Sequence, residues 1–304
     1  MMTEAIFQKN KTDQVIETLK YVKAFCGHRV LVKISGSALN DKGLVKSLCE
    51  DFTSMRAAGI SLVIVHGGGI VINDALKNAG IEWTFHQGLR VTTPKMMKII
   101  EHVMVENVNA TLTHMLNEHG VQAKGFSGKT DGLLTCHRMD ENLGEVGLVS
   151  QVQASAIEAL LNSQKQSMQG IIPVIAPIGV DGHGNVLNVN ADWACVALAK
   201  ALKVQKMIYL TNEDGIYTKE KILMSTIDTH GLRELIANET ATGGMAVKCQ
   251  TIIEALEAGI EQVHIINGLR PHSLIQEIFT DQGVGTVCVP FSKEAQQCLQ
   301  QKTF

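Results

Sequence analysis

Ser61-Leu-Val-Ile-Val65, followed directly by His66-Gly67-Gly68-Gly69, is the stretch that decides the fold. Its Leu, Val and Ile residues are typical of a strand buried on both faces of a parallel sheet. Residues 70–80 have helical periodicity, so the three glycines lie where a strand ends and a helix begins. Glycines allow a ligand to approach peptide N–H groups, and a helix N-terminus favours anions. The stretch therefore predicts either a phosphate site or a tight turn without a ligand.

The common phosphate-binding motifs do not describe this turn. It lacks the Gly-x-Gly-x-x-Gly pattern of dinucleotide sites. The segment Gly125-Phe-Ser-Gly128-Lys129-Thr130 ends like a Walker A loop, but Ala123 stands where that motif needs its first glycine. A Rossmann site and a P-loop are both unsupported.

Composition narrows the classes of function. A chain of 304 residues with 45% hydrophobic and 19% charged residues is globular and forms one large α/β domain or two lobes. Its net charge of −3 argues against nucleic acid or an anionic membrane as partner. No apolar run approaches the ~18 residues of a membrane span. A small-molecule ligand is the better expectation.

The cysteines and the N-terminus indicate a cellular compartment. The seven cysteines are scattered and never form Cys-x-x-Cys, which favours neither a zinc site nor a disulfide framework. The first ten residues include an acid and no apolar core, so no signal peptide is predicted. We therefore expect a cytoplasmic protein.

Strands and helices alternate along the rest of the chain, which predicts a largely parallel sheet covered on both faces. Periodicity predicts strands at 29–34, 61–65, 121–127, 147–152, 171–176, 207–211, 262–266 and 285–289, with another ending near 189. It predicts helices at 12–25, 44–58, 70–80, 95–118, 155–162, 193–202 and 272–280, and one that 242–248 opens and that ends at Ala258. Residues 83–94 are expected to form a loop, and 181–185 a hairpin turn.

Charged and polar residues at strand–helix junctions point to an anionic ligand. Lys33 ends a buried strand and Lys248 lies in the first turns of a helix, two positions that disfavour a cation without an anion nearby. Lys33 could instead extend to solvent. Arg90 suits a carboxylate, although a loop arginine is often only a surface charge. Helix capping explains one of Asn188, Asn190 and Asp192, not all three.

Six motifs, in this order, resemble the amino-acid kinase family. They are Val-Leu-Val-Lys33-x-x-Gly36, Val-His66-Gly-Gly-Gly69, Gly88-Leu-Arg90-Val-Thr, Asn188-Val-Asn-Ala-Asp192, Gly243-Gly-Met245-x-x-Lys248, and a C-terminal set from His264 to Gly285-Thr. The resemblance implies an open, mostly parallel sheet sandwiched by helices, in two lobes. It implies an N-terminal helix at 1–26, an amino-acid substrate lobe at 27–195 and an ATP-binding lobe at 196–304.

The resemblance also implies the roles of single residues. Lys33 and Lys248 would neutralise the transferring phosphoryl group, and Asp192 would hold both ammonium groups. The remaining implied contacts are with phosphate for Gly36, Gly67 and Gly68, and with the amino-acid substrate for Gly68, Gly69, Arg90 and Asn188. The implied ATP-side loops contain Thr211, Asn212, Gly215, Gly243 and Met245.

The implied activity is ATP-dependent phosphorylation of the side-chain carboxylate of N-acetyl-L-glutamate in arginine biosynthesis. Mg²⁺ would arrive with ATP and be held mainly by its phosphates. The N-terminal helix with Tyr21, and the set His264, Glu277 and Gly283, resemble an arginine-inhibited branch whose members form hexamers, as trimers of dimers, through this helix. Alternatively, Tyr21 only packs and Glu277 is a solvated helix residue.

Three departures and two other functions stay open at this point. Ser35 stands where a second glycine is usual, Ala246-Val247 replaces a hydrophobic residue and proline, and Asn212 replaces a common aspartate. One alternative is a related kinase for uridylate, aspartate or an N-acylated aminoadipate. Arg90 and 188–192 argue against uridylate. The other alternative is an arginine sensor that has lost catalysis, which is disfavoured because a sensor does not need all of Lys33, Asp192 and Lys248.

Overall fold

A computed structural model describes residues 11–39, 41–167, 170–281 and 283–291 of the chain. The strands are β1 (Arg29–Ile34), β2 (Ser61–His66), β3 (Phe85–His86), β4 (Leu89–Arg90), β5 (Ala123–Ser127), β6 (Leu134–Arg138), β7 (Val146–Val152), β8 (Ile172–Ala176), β9 (Ile178–Val180), β10 (Val186–Val189), β11 (Lys206–Thr211), β12 (Thr226–Asp228), β13 (Gln262–Asn267) and β14 (Thr286–Val289).

The α-helices alternate with these strands, as the sequence predicts. They are α1 (Lys11–Phe25), α2 (Lys42–Ala57), α3 (Gly69–Asn78), α4 (Pro94–His102), α5 (Ala110–Glu118), α6 (Ser155–Gln166), α7 (Ala191–Ala201), α8 (Thr229–Ala237), α9 (Gly243–Glu257) and α10 (Ser273–Phe279). The helix expected at 95–118 is continuous, but its middle, Val103–Asn109, is wound as a π-helix.

The main sheet has eight strands in the order β12-β14-β13-β11-β1-β2-β8-β5. Its strands pair in parallel except at β13–β14, which pair antiparallel. The predicted open, mostly parallel sheet is confirmed. β1 lies at its centre, with Lys33 opposite Val65 of β2 and Tyr209 of β11.

The sheet is buried on both faces because the middle residues of its central strands are apolar. Leu31 and Val63 pack with residues of α6, α7 and α9, whereas Val32 and Ile64 pack with residues of α2, α5 and α10. All six residues of β2 are buried, as expected for a strand between two helical layers. β2 therefore lies at the centre of the core.

A second, four-stranded sheet, β10-β7-β6-β9, closes on itself beside the main one. The hairpin turn predicted at 181–185 is confirmed, since β9 and β10 pair antiparallel on either side of it. β6, β9, β12 and α8 were not predicted, and the loop expected at 83–94 contains the small hairpin β3–β4. The six cysteines in the described ranges are free thiols.

The two predicted lobes share one sheet, because β1 of the first pairs with β11 of the second. The boundary between residues 195 and 196 stays a prediction, and residues 1–10 and 292–304 of the outer segments lie outside the described residues. α1 packs on the body through Phe25, whose ring lies 6.5 Å from that of Phe279. No helix within the described ranges is long and apolar enough to cross a membrane.

Candidate functional site

The site lies where the carboxyl ends of the central parallel strands meet the first turns of helices. Lys33 is near the end of β1, and the glycines after His66 lead from β2 into α3. α7 and α9 bring Asp192 and Lys248 from their N-terminal turns. Ligands of open α/β sheets bind in such a crevice.

Two lysines from distant parts of the chain meet on one carboxylate. Lys248 Nζ donates a 2.7 Å hydrogen bond to Asp192 Oδ2, and Lys33 Nζ lies 3.2 Å from Oδ1. The side chains of Lys33, Asp192 and Lys248 are 13%, 12% and 10% exposed. Asn190 caps α7 by accepting from the N–H of Asp192 at 2.8 Å, which fixes the turn that carries the carboxylate.

The charge of this cluster favours an anion, because two cations face one carboxylate. Burial alone would raise the pKa of Asp192, but attraction from Lys248 and Lys33 outweighs it and holds that pKa well below its ordinary value. Burial lowers the pKa of Lys248, and its ammonium also lies over the Tyr209 ring, 4.4 Å from the centroid. The cluster thus carries one excess positive charge.

The glycine turn beside the cluster offers backbone donors. Gly68 caps α3 without a side chain, and Gly69, the first helical residue, is exposed. A Cβ at Gly68 would lie 2.2 Å from Met104 Sδ, so a side chain there would displace Met104. The Gly67 N–H already donates to Ile34 O at 2.8 Å and is not a free donor in this turn, so the phosphate contact of Gly67 stays a prediction. Gly36 does lie beside Gly68, since its Cβ would be 3.6 Å from Gly68 Cα.

A cleft runs from the glycine turn to Arg90 and Asn188, with Ile72, Leu89 and Met104 among its apolar lining residues. The Arg90 guanidinium is buried against the Phe85 ring, 4.8 Å from its centroid, and Nη2 donates to Asn73 Oδ1 at 2.6 Å. Nη1 has no hydrogen-bond partner among the described residues although it is buried. Such an unpaired donor fits a ligand carboxylate.

Thr92 connects the two predicted substrate residues of this cleft. Its hydroxyl donates to Arg90 O at 3.0 Å and therefore accepts from Asn188 Nδ2, 3.1 Å away. This fixes the amide of Asn188 and leaves its Oδ1 free for a ligand. The structure thus brings Arg90 and Asn188 together, as predicted.

The model of the amino acid kinase family matches residues 28–267. The chain belongs to the amino acid kinase family. Among its amino acid kinase relatives, acetylglutamate kinases of Halothermothrix orenii and Caldanaerobacter subterraneus subsp. tengcongensis are 36% and 40% identical. Each alignment covers 91% of this chain, and 97% and 92% of the respective relative.

A solved structure shares the amino acid kinase fold at lower identity. It is N-acetylglutamate synthase from Neisseria gonorrhoeae complexed with coenzyme A and N-acetyl-glutamate, with a TM-score of 0.82 and 23% identity. The match covers 93% of this chain and 64% of that one. The same synthase with coenzyme A and L-arginine gives a TM-score of 0.79.

The residues expected on the ATP side of this amino acid kinase lie at and after the end of β11 and at the start of α9. Thr211 Oγ1 accepts from Glu213 N at 2.9 Å, which bends the chain after β11. Gly215 is buried against Thr286, where a Cβ would lie 2.4 Å from Oγ1. Asn212 and Gly243 are exposed, and Met245 packs on the core.

The predicted arginine group is partly assembled. His264 Nδ1 lies 2.7 Å from Glu277 Oε1, and Glu277 Oε2 accepts from the N–H groups of Val284 and Gly285 at 2.8 and 3.2 Å. Glu277 is 6% exposed, so the alternative of a solvated helix residue is wrong. A Cβ at Gly283 would lie 3.0 Å from Glu277 Oε2. Tyr21 stacks on Phe25 and lines an open hollow with Lys20.

Sequence reasoning missed several residues that shape the site of this amino acid kinase. Thr92 ends the motif that begins at Gly88, but no role was predicted for it. Nothing in the sequence distinguished Asn73 on α3 from other surface residues. Asn109 is 5% exposed and contacts the ring of His66, which is fully buried. A polar residue on the apolar stripe of a predicted helix is the signal that could have found Asn109.

Proposed function

We propose that this amino acid kinase transfers the γ-phosphoryl group of ATP to the side-chain carboxylate of N-acetyl-L-glutamate, forming N-acetyl-L-glutamyl 5-phosphate. One observation carries the reaction class, namely the meeting of Lys33 and Lys248 on Asp192 beside an uncapped helix N-terminus. The substrate is supported by the unpaired Arg90 donor in the cleft and by the acetylglutamate kinases among the relatives.

Charge stabilisation is the main task in this reaction. The transferring group spreads negative charge over its oxygens, and Lys33 and Lys248 would neutralise it from two sides. The negative charge of Asp192 would offset the repulsion between the two ammonium groups. The attacking carboxylate is already ionised at pH 7, so no general base is needed. Burial lowers the pKa of His66 to about 4, which leaves it neutral and enclosed.

Backbone amides would supply the remaining phosphate contacts. The N–H groups of Gly36 and Gly68 adjoin the lysine cluster, and Gly68 precedes the positive end of the α3 dipole. Gly69 lines the same cleft. We assign Gly67 no N–H contact with phosphate because that N–H is occupied.

The amino-acid substrate would lie in the cleft. Arg90 Nη1 would bind its α-carboxylate, and Asn188 would contact the same molecule with the part of its amide that Thr92 leaves free. The apolar residues Ile72 and Met104 would face its methylene groups. The side-chain carboxylate would then point toward the lysines.

ATP would bind on the opposite side, along Thr211, Asn212, Gly215, Gly243 and Met245. Both oxygens of Asp192 face ammonium groups, so this carboxylate is not free to ligate a metal ion. Mg²⁺ would therefore enter on the phosphates of ATP, where it screens their charge.

Arginine inhibition and a hexamer, as a trimer of dimers, complete the proposal for a cytoplasmic enzyme of arginine biosynthesis. Glu277, His264 and Gly283 would form an arginine site near Tyr21, and the Glu277 carboxylate would exchange one of its present hydrogen bonds for the guanidinium of arginine. The apolar residues Val15, Ile16 and Leu19 of α1 are 59%, 49% and 58% exposed, which suits helix contacts between subunits.

A hydroxamate assay for acyl phosphate tests the reaction. The purified chain is incubated with MgATP and N-acetyl-L-glutamate, and in parallel with aspartate, N-acetyl-aminoadipate or uridylate. We expect hydroxamate from N-acetyl-L-glutamate with the highest kcat/KM. Asp192→Asn, which keeps the side-chain shape, should remove most of the signal. Turnover of another substrate alone would refute the proposal.

Arginine in the same assay tests the regulatory part. We expect inhibition, and in Glu277→Gln an at least tenfold higher arginine concentration for half-inhibition, because the carboxylate charge is lost. The control is Glu261→Gln, which changes an exposed acid shortly before His264 in the sequence. Equal inhibition of Glu277→Gln and Glu261→Gln by arginine would exclude this arginine site.

Sedimentation of the wild-type chain and of the Leu19→Lys variant tests the proposed hexamer.

A further inference from the structure

The π-helical segment Val103–Asn109 interrupts an otherwise α-helical stretch beside the glycine turn. The Ala110 N–H donates to the carbonyl oxygen of Val105, five residues earlier, which is the hydrogen bond that defines a π-helix. In an α-helix, residues five apart point about 140° away from each other, since each residue turns about 100°. A π-turn brings such residues onto one face, and π-turns occur frequently at functional sites.

Met104 and Asn109 are five residues apart, and both face the turn that follows β2. Met104 lies against Gly68 and lines the cleft. Asn109 Nδ2 donates to Val174 O and to His66 Nε2, at 3.0 Å each. Gly125 makes room for this amide, since a Cβ there would lie 2.2 Å from Asn109 Oδ1.

These contacts determine the protonation of the His66 ring. A carbonyl oxygen only accepts hydrogen bonds, so the Asn109 group that faces Val174 O is the nitrogen. That nitrogen also donates to His66 Nε2, which therefore carries no proton. The ring proton is on Nδ1, and Nδ1 donates to Gly67 O, 3.1 Å away.

We propose that Asn109 and His66 are positioning residues that fix the orientation of the Gly67–Gly68 peptide. The peptide is planar and trans, so a carbonyl anchored on His66 directs the Gly68 N–H the opposite way. Both residues are glycines, and without the anchor this peptide rotates more freely. A rotated peptide would turn its carbonyl oxygen, rather than its N–H, toward the phosphoryl group. The inference rests on the proposed function and assigns a task to residues that do not touch the substrate.

Asn109→Ala and Asn117→Ala form a matched pair of variants. Asn117 also connects this long helix to β5, through 3.0 and 3.1 Å hydrogen bonds with Ala123, but it does not contact His66. We expect Asn109→Ala to lower kcat five- to tenfold, the value of about one buried hydrogen bond, with both KM values within twofold. Asn117→Ala should change kcat less than twofold. Equal kcat values for the two folded variants would overturn the proposal.

His66→Leu and His66→Asn test the donor itself. Leucine removes the N–H that holds Gly67 O, whereas the shorter asparagine amide retains a donor near the Nδ1 position. We expect a larger loss of kcat in His66→Leu, with partial recovery in His66→Asn. A role limited to packing predicts the opposite order, since leucine is the more apolar residue, and that order would refute the inference.

The ¹⁵N spectrum of the His66 ring in the wild-type chain gives a readout that does not depend on activity. We expect a neutral ring with its proton on Nδ1 between pH 5 and 8, and loss of this single tautomer in Asn109→Ala. A proton on Nε2 in the wild type would contradict the inference even if the variants fail to fold. A chain with the expected tautomer but no turnover of N-acetyl-L-glutamate would refute the proposed function instead.

Discussion

The proposed substrate side and the proposed ATP side of the lysine cluster differ in how their groups are held. On the substrate side, Arg90 is 8% exposed and fixed by Asn73 and two aromatic rings. On the ATP side, Asn212 and Gly243 are exposed. Side-chain substitutions should therefore act strongly on the substrate side and weakly on the ATP side. The lysine cluster between them belongs to both.

The largest effect is expected for the shared cluster. Lys33→Ala or Lys248→Ala should lower kcat by about 10²–10³, the typical loss for one preorganised charge-stabilising group. The hydroxamate assay at saturating substrates measures it. A loss of kcat below tenfold in either variant would mean that the lysine cluster does not stabilise the transferring group. The cluster would then not be the centre shared by the two sides.

Arg90→Ala sharpens the comparison on the substrate side. It removes a charged donor from a buried site, so the KM for N-acetyl-L-glutamate should rise about ten- to a hundredfold, while the KM for ATP stays within about threefold. Initial rates over a grid of both substrates separate the two values. A rise in the KM for ATP alone would show that Arg90 does not bind the amino-acid substrate.

Gly88, in the turn of the β3–β4 hairpin, lies against α9 and so connects the substrate side with the ATP side. It has φ of +81°, and a Cβ there would lie 3.1 Å from Val247 Cγ2 and 3.3 Å from Gly243 O. Gly88→Ala should destabilise the fold by about 1–2 kcal/mol, because an L-residue is strained at positive φ, and should raise both KM values severalfold. Urea unfolding and the same kinetic grid measure this. Unchanged kinetics would show that the hairpin and α9 work independently.

The sequence predicted the centre of this fold better than its periphery. β1, β2 and β11 each contain a run of apolar residues, which is typical of a parallel sheet covered on both faces. β6 ends in the exposed residues His137 and Arg138, and β12 has three residues, so neither forms a run long enough to stand out. The π-segment was not predicted either, because residues 95–118 contain no glycine or proline that would mark a change of winding.

The site was predictable wherever a residue conflicts with its local environment. Lys33 at a buried strand end and Lys248 at a helix start both signalled an anion, and they do meet on Asp192. Hydrogen bonding by the backbone was not predictable. The sequence could not show that the Gly67 N–H is used by Ile34, because that depends on the pairing of β1 with β2.

The smallest effect is expected on the ATP side. Asn212→Ala should raise the KM for ATP less than about threefold, since an exposed polar side chain contributes little to binding. The KM for N-acetyl-L-glutamate should not change. A tenfold rise for ATP would show that this side also depends on fixed side chains, and the contrast between the two sides would fail.

The central claim is that one carboxylate holds two ammonium groups around the transferring phosphoryl group. A crystal structure with MgADP, aluminium fluoride and N-acetyl-L-glutamate tests it most directly, because the planar fluoride complex mimics that group. The account predicts both Nζ atoms of Lys33 and Lys248 within hydrogen-bond distance of the fluorides, with Asp192 still between them. A fluoride complex bound away from either lysine would contradict it.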